Sequence, residues 1–308
     1  MRKFWLLAAI VFLVLLFILN IFFPKKNIPV QITLTASPVP TLSSSSITLL
    51  FTGDLSLSRE INYQVSQKQD PDYPFEKIKN TLAQADWVTA SLEGPIIENC
   101  PILRTGYKFC GQTQNANGLA SAGIDSLNLA NNHINNFGPE GIDQTIRTLD
   151  QKEINYFGLG KVNFQTIRGI KLGFLGFDDT VSPLIKDQLQ KEISKISSQV
   201  DWLIINFHWG QEYQDSPNSR QRELAYLAVE SGADIVVGHH PHVVQALEYY
   251  RKRPVFYSLG NFVFDQLWSE DTRKGALGKI TLTKERIIKA ELIPIYINND
   301  YQPELVNP

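Results

Sequence analysis

Three of the five histidines in this chain stand within four residues, in the stretch DIVVGHHPHVVQ from Asp234 to Gln245, at the end of an apolar run. The other two, His133 and His208, close the segments LNLANNH and LIINFH, which have the same construction. Carboxylates hold comparable places, Asp54 at the end of LLFTGD and Glu93 at the end of VTASLE, and Asn131 and Asn132 add amide oxygens beside His133. A short apolar run closing on a polar side chain reads as a buried strand that delivers that side chain to a sheet edge. One histidine in such a place is ordinarily a matter of packing. All five at three strand ends, beside two carboxylates, point to metal ligation by Asp54, Glu93, Asn132, His208, His240 and His242. Neutral imidazole with carboxylate and amide oxygen suits manganese, iron or zinc, and suits copper(I), calcium or an iron–sulfur cluster poorly. One or two such divalent ions can activate water and clamp a phosphoryl oxygen. His133, beside an asparagine ligand, is placed to protonate a leaving group.

The elements that must position these residues alternate. ITLLFTGDLSL, DWVTASLEGPI, GIDSLNLANNH, INYFGLG, KLGFLGF, DWLIINFHWG and ADIVVGHHPH read as strands. PFEKIKNTLAQA, GPEGIDQTIRTLDQ, the stretch from Leu184 to Ser197 and SRQRELAYLAVESG read as helices. This alternation implies βαβ units and a largely parallel sheet covered by helices, an α/β fold whose ligands bind beyond the carboxyl ends of the strands. RPVFYSLGNFVF, ALGKITLTK and RIIKAELIPIYI have turns but no helix between them and predict an antiparallel closing region. No repeat recurs at a fixed period, and no break in composition after Ser46 marks a second domain.

Within GHHPH, a strand continuing through the motif would put His240 and His242 on one face across Pro241 and turn His239 away. A strand ending at Gly238 would remove that argument. Arg59, five residues after Asp54, is placed either to meet an anionic substrate or simply at the surface. Glu212 in HWGQEY either orients a ligand or substrate or is a solvated acid, and Asn261 in SLGNF, which follows a glycine, either supports a ligand from behind or is a turn asparagine.

The amino terminus, MRKFWLLAAIVFLVLLFILNIFFPKK, holds about twenty residues from Phe4 to Phe23 without charge, enough to span a bilayer as a helix. A cleaved signal peptide is the alternative, but its apolar core would be shorter and followed by a small-residue cleavage site. Flanking charges on both sides leave orientation open. The Ser/Thr/Pro-rich stretch 27–46 reads as a spacer. Cys100 and Cys110 are the only cysteines of the 308 residues. They fit a disulfide in an oxidising compartment, with reduced thiols as the alternative. Spacer and cysteines together favour a single-pass membrane protein whose main domain is extracytoplasmic. With a net charge of −2 and no dense basic cluster, nucleic acid is excluded as a partner.

The order GD, LEGP, NLANNH, HWGQEY, GHHPHVVQ and YSLGNFVFD resembles the bacterial capsule-synthesis CapA/PgsA family of poly-γ-glutamate synthesis proteins, within the calcineurin-like metallophosphatase superfamily. The likeness covers 47–297, between an anchor at 1–26 with its spacer and a tail at 298–308. It implies a four-layer α/β/β/α sandwich and a membrane-anchored role with envelope polymer synthesis or export proteins as partners. Carried over by motif, Asp54 resembles the aspartate of Asp-x-His, Glu93 the bridging aspartate, Asn132 and His133 the Asn-His pair, His208 the isolated histidine, and His240 with His242 the terminal His-x-His. Ser56 stands where the first motif has histidine, and Glu93 is one methylene longer than aspartate. These departures bear on hydrolysis more than on metal binding. Two functions follow: a metal-dependent phosphoesterase-like hydrolase, or a non-catalytic accessory subunit with a structural or vestigial site.

Overall fold

The computed structural model of the protein describes residues 46–306. The chain enters at β1 (Ile47–Leu55) and runs through α1 (Arg59–Lys68) and α2 (Lys79–Leu82) to β2 (Trp87–Leu92). Two short strands, β3 (Ile96–Ile97) and β4 (Gly111–Gln112), bracket a loop, and α3 (Ala116–Ser121), β5 (Ser126–Asn128), α4 (Gly138–Gln151) and β6 (Asn155–Phe157) follow. Next come β7 (Asn163–Ile167), β8 (Ile170–Asp178), α5 (Lys186–Ser197), β9 (Trp202–His208), α6 (Ser219–Glu230) and β10 (Ile235–His239). The chain closes with β11 (Leu247–Tyr250), β12 (Arg253–Phe256), β13 (Asn261–Val263), α7 (Glu270–Arg273), β14 (Lys274–Leu282), β15 (Ile287–Ile297) and β16 (Pro303–Leu305).

These strands form two main sheets. The first has the order β16-β15-β14-β1-β2-β5-β6, with β13 alongside the end of β1; the second has the order β11-β12-β10-β9-β8-β7. Strands β1, β2, β5 and β6 run parallel, as do β8, β9, β10 and β12. The two-residue period of a strand decides what each sheet covers. Leu49 and Phe51 of β1 pack with Phe174, Ile204 and Val237 of the second sheet, whereas Leu50 points the other way, to Ile61, Leu119 and Leu149 on the helices. Leu203 and Ile205 flank Ile204 and face Leu189, Ile193, Leu224 and Ala228 of α5 and α6. The layers therefore run helix, sheet, sheet, helix. Such strands lie buried on both faces, which is why β9 and β10 are buried at every residue and read as unbroken apolar runs.

The carboxy-terminal part departs from the expected antiparallel region. β14, β15 and β16 pair antiparallel, but β12 lies parallel to β10 in the other sheet, and β13 runs parallel to β1. The returning strand β11 takes the place of a crossover helix, so the absence of a helical pattern did not signal an antiparallel neighbour. β16 pairs with β15, so the first sheet continues beyond Ile297. The apolar segment Phe4–Phe23 and nearly all of the spacer lie outside the described residues. Among the described residues no helix is long and apolar enough to cross a membrane.

Candidate metal centre

The carboxyl ends of β1, β2, β5, β9 and β10 meet where the two sheets face each other. Asp54 is wholly buried at the end of β1. Its Oδ1 lies 3.3 Å from His239 Nδ1, its Oδ2 lies 3.2 Å from His242 Nδ1, and Oδ2 accepts a hydrogen bond from the backbone N–H of His240 at 3.1 Å. Glu93 Oε1 is 3.7 Å from His133 Nε2 and 3.8 Å from His242 Nε2. The His208 and His240 rings are 4.8 Å apart, and Asn132 Oδ1 is 2.9 Å from His208 Nε2. Two sets of three ligand atoms each fall within 4.8 Å of one another: Asp54, Glu93 and His242, and Glu212, His240 and His242.

Burial sets the charge states. Asp54 is desolvated, yet the close approach of the His239 and His242 rings outweighs this and holds its carboxyl well below the usual range. Desolvation pushes Glu93 up to about 8; Asp54 and Glu212 add to the rise, and His242 and Arg59 oppose it. Burial acts against a charge on His242, but Glu93 and Asp54 prevail and raise it to about 9. Burial lowers His133 and His240, and it takes His208 well below the ordinary imidazole value.

A cation fits this arrangement. Nine buried side-chain nitrogen or oxygen atoms lack a hydrogen-bond partner among the described residues, and five of them belong here: Asp54 Oδ1, Glu93 Oε2, and the Nδ1 atoms of His208, His239 and His240. Buried polar atoms are ordinarily satisfied, at about nine in ten or better. Five unpaired nitrogen and oxygen donors in one place are the mixed set expected of ligands to manganese, iron or zinc.

The neighbouring residues divide into supports and bystanders. Asn261 Oδ1 sits 2.9 Å from His242 Nδ1, while its amide donates to Gln266 Oε1 and to the Thr272 carbonyl. Asn131 is turned away from the cluster; its amide donates to the Leu92 carbonyl and its oxygen accepts from the His133 N–H, tying the ends of β2 and β5 together. Ser56 Oγ donates to the Glu93 carbonyl and contacts Ser58 Oγ, a structural tie. Arg59 pairs with Asp265, donates to the Gly106 carbonyl and covers the Phe109 ring. Both of its terminal nitrogens are engaged by the protein, while its Nε has no partner among the described residues and the side chain also lines the cleft beside the cluster. A cleft of about 510 Å3, lined by Arg104, Tyr107, Tyr213, Gln266 and Trp268 among others, opens beside the cluster, with the Tyr213 ring 6.1 Å from that of His242.

The alternation expected within GHHPH does not hold. β10 ends at His239, and His240 and His242 both have positive φ, 95° and 59°. The motif beyond His239 is a loop, so period-two geometry stops applying. His239 does not turn away: its Nδ1 faces Asp54, and its Nε2 lies 3.3 Å from Asn206 Oδ1.

A family model described as bacterial capsule synthesis protein PGA_cap matches residues 48–266. The chain belongs to this family. It is 31% identical over 296 residues to the capsule biosynthesis protein CapA of Bacillus anthracis, covering 87% of this chain and 72% of that protein. It is 31% identical over 283 residues to the PGA biosynthesis protein CapA of Bacillus subtilis, covering 84% of this chain and 74% of the relative. Among solved structures, a Staphylococcus aureus protein provisionally assigned as a 5′-nucleotidase, in complex with alpha-ketoglutarate, superposes with a TM-score of 0.50 at 12% identity, covering 83% of this chain and 55% of the other. That likeness speaks to the mixed α/β fold.

Within this PGA_cap domain, sequence reasoning missed the partners of His133. Its Nδ1 lies 3.1 Å from Asn136 Oδ1, and that same oxygen accepts the Phe109 N–H at 2.6 Å. An oxygen already accepting one N–H requires His133 Nδ1 to donate, which leaves Nε2 facing Glu93. The only signal was Asn136 three residues on in NNHINN. Phe109 stacks on the imidazole at 3.9 Å and was invisible in the sequence. Cys100 and Cys110 are joined, with Cα atoms 5.8 Å apart.

Proposed function

We propose that this PGA_cap protein acts in synthesis or export of a capsule or poly-γ-glutamate-type envelope polymer, and that its strand-end cluster holds divalent metal and hydrolyses a phosphoester or related bond. The observation that carries the metal reading is the group of five unpaired buried donors. Asp54, Glu93, Asn132, His208, His240 and His242 are the residues assigned to one or two ions of manganese, iron or zinc, with His239 and Glu212 adjoining. When bound, such an ion polarises a phosphoryl oxygen and a water molecule. The chain's own residues do the rest. Asn136 fixes the His133 ring, leaving Nε2 as the atom that takes up and delivers a proton at the leaving group. Phe109 covers one face of that ring, and the adjoining cleft admits the substrate.

The metallophosphatase-like reading is supported by the order of motifs and by the meeting of two parallel-stranded edges at the cluster. Membrane anchoring through Phe4–Phe23, an extracytoplasmic domain and envelope synthesis or export partners are parts of the same proposal, supported by the apolar run, the spacer and the disulfide. If they hold, the full chain sediments with membranes, and protease added outside the cell removes the domain. An accessory role without catalysis is favoured by one feature: Ser56, tied to the Glu93 carbonyl, leaves the first motif without its histidine. Hydrolysis of bis(p-nitrophenyl) phosphate with manganese decides between the two. The catalytic reading expects metal-dependent turnover that falls about 10²- to 10⁴-fold in His133→Ala. Turnover no greater than that of Asp54→Asn would leave the accessory role.

A further inference from the structure

The loop between β3 and β4 is exposed from residue 101 to 108, yet its last two residues, Phe109 and Cys110, are buried. It is closed twice at its base. Ile96 and Ile97 pair with Gly111 and Gln112, and the Cys100–Cys110 bond packs against Ile97 and Phe137. Phe109 is therefore held immediately beside a covalent closure. Its ring lies 3.9 Å from the His133 ring, with 10° between the planes, and the Arg59 guanidinium stands 4.3 Å from its centroid. Two groups that close to one centroid must occupy opposite faces, so Phe109 is clamped between Arg59 and His133. Arg59 in turn is fixed by Asp265 and by the loop's own Gly106 carbonyl. The Phe109 N–H also holds the Asn136 oxygen that meets His133 Nδ1. Gly94, next to Glu93, permits this approach: a Cβ there would stand 2.9 Å from Phe109 Cβ.

We propose that the loop closed by Cys100–Cys110 is the positioning device of His133, acting through Phe109, whose ring fixes the plane of the imidazole and whose N–H fixes the amide that selects its tautomer. Phe109 is thus a positioning residue. The proposal rests on the reading of His133 as the proton-transferring group, but its geometry can be tested without turnover. A disulfide that served stability alone would leave His133 unaffected in any variant that stays folded.

The test uses the full chain with 15N-labelled histidine, compared with Phe109→Leu and with the double variant Cys100→Ser/Cys110→Ser. Five histidines give a tractable imidazole spectrum. In the wild type His133 shows a single tautomer with the proton on Nδ1. In both variants, read on the metal-free protein, the His133 nitrogens move toward the position averaged over both tautomers, while the other four histidines keep their shifts and separate samples take up the same amount of manganese. Where turnover is measurable, kcat falls about 10- to 100-fold with KM unchanged. If the double variant fails to fold, Phe109→Leu, which keeps the disulfide, decides alone. Unchanged His133 resonances in a folded Phe109→Leu overturn the proposal. Altered resonances with no turnover in the wild type would instead overturn the catalytic reading and leave the positioning intact.

Discussion

Metal binding at this cluster should release protons, and its strength should climb steeply with pH. In the metal-free domain burial pushes Glu93 up to about 8, and His242 stands at about 9 because Glu93 and Asp54 outweigh its own burial. At pH 7 the pair therefore holds protons that ligation must displace, since carboxylate and neutral imidazole are the binding forms. Each displaced proton weakens the apparent Kd about tenfold per pH unit lost, or about 1.4 kcal/mol. With at least one displaced from the coupled pair, binding should weaken about tenfold or more from pH 7 to pH 6. Stability of the metal-free protein should move the opposite way. A carboxyl or imidazole whose folded pKa is raised favours folding below its unfolded value and loses that contribution as pH rises through the folded one. Below the ordinary imidazole value of 6.5 the lowered His133, His208 and His240 act the other way, so the metal-free domain should weaken only from about pH 6.5 to about 9, where the metal-bound form gains. Calorimetric titration with manganese at pH 7, in buffers of contrasting ionisation enthalpy, counts the protons, and Glu93→Gln should lower the count by about one. A Kd independent of pH, with no proton released, would refute this account of the cluster.

Three further outcomes follow from the scaffold. Replacing both cysteines, ten residues apart, should cost about 3 kcal/mol in urea unfolding if the bond acts by restricting the unfolded chain. Gly238→Ala would place a Cβ 2.1 Å from the Tyr257 carbonyl oxygen and 2.4 Å from Trp209 Nε1, so the buried edge of β10 must shift; a loss of about 1–3 kcal/mol is expected, read by the same unfolding. Asn218→Ala removes the side chain that accepts from the Gln221 N–H in the capping box of α6, at about 1 kcal/mol, seen as a lower thermal midpoint with manganese content unchanged.

What could be read from the sequence was whatever depends on local period. Short, mostly apolar runs such as LIINF and IVVG read as strands covered on both faces, and the polar residue closing each one falls at the cluster. That logic reached Asp54, Glu93, Asn132, His133 and His208 without coordinates. It failed at His239 because strand alternation was carried into a loop, where positive φ at His240 and His242 re-aims the side chains. Arg59 was out of reach for another reason: its partner Asp265 lies 206 residues away, and nothing local announces such a pair. Asn136, Asn206 and Asn261 were equally silent or ambiguous, since an asparagine beside a glycine or histidine looks the same in a turn as behind a ligand. The placement of β12 in the second sheet depended on a tertiary choice that no period records.

The most direct test of the central claim is anomalous scattering from crystals of the full chain soaked with manganese, collected to favour the manganese signal. The account predicts a peak within coordination distance of Asp54 and His242, with further ligation from among Glu93, Asn132, His208 and His240, and loss of that peak in His240→Ala/His242→Ala crystals of the same fold. Saturating manganese that leaves no peak there, or a peak that survives in the double variant, would contradict it.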